Sequence, residues 1–268
     1  MRDFLFAPLT GCLYVFEITA REPGVLAGTQ KLQATAKELG LDLEWQAEEG
    51  SKLEEGTCVC RARGDAWQVT RAEEELLGCI GKTSGVATAA AEMVVQARGR
   101  ARVVCGAWKK VPQEIRRDIR QAIATGGAGI RLVDDPFLYL DKNYVRLFGG
   151  IGPAVRRARE LQGRIVVVQL RGEAGSLEQE VLEAGREGAH ILMVDTGKVE
   201  DLARVRDIVL KEGLRDRIKL AFGGSVNRSN LDRVIDAGAD IIDVGRAIID
   251  APLLDFSLDV VDRVNRSG

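Results

Sequence analysis

The chain has 268 residues, 46% of them hydrophobic, and its 38 basic and 40 acidic side chains nearly cancel to a net charge of −2. That apolar fraction supplies a sizeable core and excludes a disordered chain, while a charge so close to zero gives no bulk attraction to nucleic acid or anionic lipid. No apolar run approaches the roughly 18 residues of a membrane helix, and Arg2, Asp3 and Glu17 interrupt the segment where a signal peptide would be uniformly apolar, so a cytoplasmic protein is expected.

The first hundred residues read as a compact α+β module. Residues 12–22 and 57–62 carry the β-branched and aromatic content of strands, and 26–39 reads as a helix stopped by Gly40. Thr70 and Glu73 have the spacing of a capping box, which predicts a long helix from there to about Ala97. From Ala101 the rhythm changes to short apolar runs followed by amphipathic stretches, the pattern of parallel βαβ units. Two segments resemble each other, 188–195 (GAHILMVD) and 238–245 (GADIIDVG), each a glycine feeding a buried strand. Six or seven such strands with glycines at their ends favour a barrel, whose reactive groups belong at the C-terminal ends of the strands.

Candidate residues follow from that placement. Lys109 and Lys110 follow one apolar run, Lys142 another, and Asp195 ends a third; each is a charge at a strand end, where a solvated lysine or a helix cap is the alternative reading. Gly223 and Gly224 offer backbone N–H groups to an anion or simply turn the chain, and the same two readings hold for Gly126–Gly129 with Arg131 nearby. His190, the single histidine, falls at the start of its strand and reads as structural. Five cysteines, Cys12, Cys58, Cys60, Cys79 and Cys105, lack the spacing of a disulfide framework or a zinc site, so free thiols and no metal are expected.

The stretches REPGVLAG at 21–28, EEEL with KTSGVATA within 73–89, and VGRAIIDAPLLDFSLDVV at 244–261 resemble the quinolinate phosphoribosyltransferase family, also called nicotinate-nucleotide pyrophosphorylase. The resemblance implies an N-terminal α/β sandwich over 1–98 ending in a long helix, an incomplete parallel α/β barrel over 99–250, and a segment 251–268 returning to the first domain. It also implies a homodimer or higher homo-oligomer, in which one subunit's first domain covers the other's barrel mouth and the arginine of a Glu-Arg pair at the start of the long helix reaches across the dimer to the substrate. The family joins the ring nitrogen of quinolinate to the phosphoribosyl group of phosphoribosyl pyrophosphate, with decarboxylation.

Several cations of the family pattern are replaced. Its Asp-Thr-Arg-Lys-Thr is here Gly106 to Lys110, with Trp108 at the arginine; its Glu-Arg pair is Glu73-Glu74; its Ser-Gly-Gly is Phe222-Gly223-Gly224; and the strand bearing acidic residues near ribose and metal offers Gln169 and Arg171. An unpaired buried charge costs several kcal/mol, so Glu74 in place of an arginine disfavours the quinolinate dianion. A pyridinium with one carboxylate fits that set: Trp108 and Phe222 for the ring, Glu74 or Asp195 opposite the charge, Lys109 or Arg131 for the carboxylate, with Lys142 close to the chemistry. The expectation is therefore a transferase moving methyl from N-methylnicotinate to a corrinoid (cobalamin) on a partner protein. The alternatives are a divergent phosphoribosyltransferase acting on nicotinate or quinolinate, and a non-catalytic ligand-binding relative.

Overall fold

The computed structural model describes residues 2–265; residues 266–268 of the expected C-terminal segment lie outside the described residues. The chain forms two compact units. The first takes in residues 2–91, 112–127 and 250–265, so the span 112–127, which the sequence rhythm gives to the barrel, packs with the first unit.

The first unit is built on a four-stranded antiparallel sheet in the order Phe256–Asn265, Cys12–Ala20, Cys58–Gly64, Asp42–Gln46. Period-2 alternation sends Phe16, Ile18 and Ala20 to one face, and a register shift between Val15 and Phe16 buries two consecutive residues. That face packs on Leu32 and Ala36 of the helix Thr29–Glu38 and on Leu76 and Ile80 of the 32-residue helix Ala66–Ala97. Burying side chains of this size contributes about 1.5–3 kcal/mol each.

The long helix begins one turn earlier than Thr70 suggests. Asp65 Oδ1 accepts from the Gln68 N–H and Gln68 Oε1 accepts from the Asp65 N–H, a reciprocal cap, whereas the Thr70 hydroxyl lies inside the helix and donates to the Ala66 and Trp67 carbonyls. Asp-x-x-Gln satisfies the same two orphan donors as the Thr-x-x-Glu pattern, and it comes first in the chain. The helix Thr29–Glu38 takes its cap from a distance: Glu49 Oε2 accepts from the Gly28 and Thr29 N–H groups and the Thr29 hydroxyl, and Oε1 accepts from the Thr125 hydroxyl. Gly126, after the helix Gln113–Thr125, closes this unit, since a methyl there would stand 2.3 Å from the Ala87 carbonyl oxygen.

The second unit, residues 92–111 and 128–249, is a half-barrel of six parallel strands. They run in the order Arg102–Val104, Ile241–Asp243, Lys219–Gly223, Ile191–Val194, Ile165–Leu170, Phe137–Leu140, with helices as the crossovers. Alternate residues point inward and pack as layers: Val104, Val167, Ile191, Met193, Ala221 and Ile241, with Phe137 and Tyr139 against them. His190 Nδ1 accepts from the Val166 N–H, a structural task at the N-terminal end of its strand. All five cysteines are free, and burial pushes the Cys60 and Cys105 thiols up to about 12, out of the reactive range. Among the described residues no helix is long and apolar enough to cross a membrane.

Glu49→Ala removes the acceptor for four donors. Chemical denaturation is expected to show a loss of about 1–3 kcal/mol, the cost of leaving buried donors unsatisfied.

Candidate active site

Where the six strands end, their inward-facing positions surround a cleft of about 460 Å³. Each strand contributes. Tyr139 forms part of the floor, and its phenol is pushed well above the ordinary range, first by burial and then by Asp195 and Asp243, so it stays protonated and available as a donor.

Gln169 ties two neighbouring strand ends together. Its Oε1 accepts the Lys142 N–H at 2.8 Å and its Nε2 donates to Asp195 Oδ2 at 2.5 Å. Arg171 Nη1 donates to the same oxygen at 3.3 Å. Asp195 is thereby fixed as an acceptor with its charge partly met. On the far side of Gly223, Asp243 Oδ1 accepts the Gly106 N–H at 2.8 Å, which anchors the turn Ala107–Lys110 carrying Lys109 and Lys110 into the cleft. Burial is the largest influence on the Asp243 carboxyl and raises its pKa; the Gly106 N–H and Lys109 oppose that, and Asp195 adds to it.

Gly223 and Gly224 lie in tight surroundings, and Gly224 is the more constrained. A methyl on Gly223 would stand 2.7 Å from Met193 Cε and 3.5 Å from Asp195 Oδ1. At Gly224, φ is +102° and a methyl would stand 2.8 Å from Gly197 Cα, a backbone atom that cannot step aside. Ser225 follows with φ of 57°, left-handed for a residue with a side chain, and its carbonyl accepts from the Asn230 amide at 3.0 Å.

Of the residues nominated from the sequence, Lys109, Lys110, Lys142, Gln169, Asp195, Gly223 and Gly224 line the cleft. Four do not. Phe222 is 1% exposed because it has the opposite parity to Ala221 and Gly223 and points away from the barrel interior. Trp108 is half-buried and its indole N–H donates to the Ile130 carbonyl at 3.0 Å. Arg131 stacks its guanidinium over the Phe137 ring at 5.1 Å. Glu74 is exposed on the long helix of the first unit and pairs with Arg2, which holds its carboxyl below the usual range. Gly129 of the glycine-rich stretch exchanges backbone hydrogen bonds with Val103 and Cys105, extending the sheet edge. Tyr139, Asp243 and Arg246 line the cleft without having been nominated, and Arg171, named beside Gln169 from the resemblance, lines it as well. Inward parity along GADIIDVG is the signal that finds Asp243. Among the described residues no three His, Cys, Asp or Glu side chains converge as a metal site.

Gly224→Ala forces a side chain into a left-handed conformation against backbone. Denaturant unfolding is expected to show a loss of about 1–3 kcal/mol.

Two family models together match most of the chain: the quinolinate phosphoribosyl transferase N-terminal domain over residues 11–84 and its C-terminal domain over residues 86–259. Among curated relatives, the nicotinate-nucleotide pyrophosphorylase [carboxylating] of Homo sapiens is 32% identical over 242 residues, covering 89% of this chain and 80% of that one. The probable enzyme of the same name from Methanothermobacter thermautotrophicus is 26% identical over 252 residues, covering 93% and 89%. The solved nicotinate-nucleotide pyrophosphorylase of Francisella tularensis superposes with a TM-score of 0.81 at 22% identity, covering 97% of this chain and 90% of that one. These findings overturn the expectation of methyl transfer to a corrinoid: the matching family models are quinolinate phosphoribosyl transferase domains, and these relatives are named nicotinate-nucleotide pyrophosphorylases. With sandwich-type and half-barrel units both matched, the chain is a transferase and belongs to the quinolinate phosphoribosyltransferase family.

Proposed function

We propose that the cleft transfers the phosphoribosyl group of phosphoribosyl pyrophosphate to the ring nitrogen of a pyridine carboxylate, with quinolinate as the acceptor. The observation that carries this reading is the charge balance of the lining: Lys109, Lys110, Lys142, Arg171 and Arg246 face Asp141, Asp195 and Asp243. Five cations against three carboxylates favour polyanionic ligands, and both the donor and a pyridine dicarboxylate are polyanions.

In the reaction the nitrogen lone pair forms the bond to ribose C1′ while the C1′–O bond breaks and pyrophosphate leaves with the electron pair. The quinolinate carboxylate beside the nitrogen then departs as carbon dioxide, leaving its electron pair on the ring carbon, which takes a proton. Positive charge develops at C1′ as the leaving group departs. Asp195, held by Gln169 and Arg171, is a fixed negative group for that charge, and the lysines and Arg171 meet the negative charge gathering on pyrophosphate. The backbone N–H groups at Gly223-Gly224 add neutral donors for a phosphate.

The test supplies purified protein with phosphoribosyl pyrophosphate, magnesium, and either quinolinate or nicotinate, and follows the mononucleotide and pyrophosphate formed. Product from quinolinate with release of carbon dioxide supports the reading; product from nicotinate alone moves it to the monocarboxylate; no product from either acid overturns it. Asp195→Asn is expected to lower kcat by about 10²-fold, the usual cost of one preorganised electrostatic group. Gln169→Glu sets a second carboxylate against Asp195 Oδ2. With a repulsion in place of a donated hydrogen bond, kcat/KM is expected to fall by about tenfold.

A further inference from the structure

Glu180 is 3% exposed. Its oxygens are taken up by backbone. Oε2 accepts the Arg171 N–H at 3.0 Å and the Gly172 N–H at 2.9 Å, and Oε1 accepts the Ala174 N–H at 2.9 Å. The segment between the strand Ile165–Leu170 and the helix Leu177–Arg186 is thus folded around a side chain from the first turn of that helix. Gly172, with φ of +68°, lets it turn, and the Ser176–Gln179 capping box fixes where the helix starts. A buried carboxylate is costly unless its lone pairs are filled, so the segment and Glu180 stabilise one another.

The residue that this segment delivers is Arg171. Its guanidinium reaches Asp195 at 3.3 Å and Glu173 at 2.8 Å, and Glu173 also takes Arg146 at 2.6 Å. A second pocket of about 240 Å³ adjoins the cleft and shares Lys142, Gln169 and Arg171 with it, with Arg146 and Glu180 in its wall. Arg171 therefore stands at the junction of the two spaces, and the backbone that aims it is set by one buried carboxylate.

We propose that Glu180 is a positioning residue that sets Arg171 as a binding group for the pyrophosphate part of the donor. The proposal rests on the phosphoribosyl-transfer reading for the identity of the anion, but its mechanism, a carboxylate acting through a loop on one arginine, is separate from the chemistry. Three backbone donors cannot all be satisfied by a neutral amide with a single acceptor oxygen, so Glu180→Gln frees part of the segment and lets Arg171 leave its post.

The experiment measures binding of inorganic pyrophosphate with magnesium by calorimetry for the full chain, Glu180→Gln, Arg171→Met and the double variant. Each single change is expected to weaken binding by about tenfold, and the double variant by no more than Arg171→Met alone, because coupled residues are non-additive. Ser176→Ala with Gln179→Ala loosens the same segment from its exposed side; it is expected to weaken binding by about threefold, to do nothing further in the Arg171→Met background, and to serve if Glu180→Gln does not fold. Additive losses overturn the proposal, as does a pyrophosphate affinity unchanged by Glu180→Gln or by the loosened cap, or a parent protein that binds no pyrophosphate. Binding with the expected coupling but no product in the transfer assay would overturn the function and leave the positioning role standing.

Discussion

A parallel sheet buried on both faces has room for polar side chains only where its strands run out. Six strands here close a half-barrel, and the inward positions read upward as apolar layers until Gln169, Asp195, Gly223 and Asp243. Below that level a charge would be stripped of water with no partner, at a cost of several kcal/mol. Above it, the same strands present polar groups whose spacing is set by ladder hydrogen bonds. Gly223 is registered beside Asp243 on one side, and Ala221 beside Met193 on the other. The cleft inherits its geometry from that register.

The polar layer is held together by neutral links as much as by charge. Gln169 gives one end of its amide to Asp195 and accepts the Lys142 N–H with the other. A carboxylate in that place could accept but not donate, and two carboxylates at such a distance share one proton. The family resemblance implies acidic residues on this strand, so the amide looks like a loss when only composition is considered. In the structure it donates to Asp195 where a carboxylate would repel it, while Asp243 supplies a second carboxyl two strands away. Asp195, which the resemblance keeps, and Asp243, which it does not name, are the acidic groups at the inward strand ends of the cleft.

The architecture was legible because it rests on periodicity. Alternation in 12–20, the βαβ rhythm after 101 and the glycine-fed repeats at 188 and 238 each map onto an observed element. Within the long helix the start was misplaced, since Asp65 with Gln68 and Thr70 with Glu73 are both capping patterns and only packing selects between them. The site was half legible. Lys109, Lys142 and Asp195 could be found because charges stand out after apolar runs. Asp243 was hidden inside a run that ends on glycine, and Phe222 stood out by alignment to a family serine although its parity turns it away from the cleft. Glu74 and Trp108 acquire partners, Arg2 and the Ile130 carbonyl, that lie 72 and 22 residues away and leave no trace in local pattern.

Substrate identity is hard to infer from single replaced residues for a related reason. Backbone and side chain divide the work in this cleft unequally. At Gly224 a methyl would meet the Gly197 backbone at 2.8 Å, whereas at Gly223 it would press on the flexible end of Met193, so Gly224 is the more tightly constrained of the two. Lys109, Lys110, Lys142 and Arg171 are exposed and sit on turns or just beyond strand ends, where long side chains reach over the same space. A polyanion is sensitive to the summed potential of that rim more than to any one member of it. Gly224 and Asp195 are fixed by backbone contact and by hydrogen bonds, whereas the rim's cations act on a ligand through their summed charge.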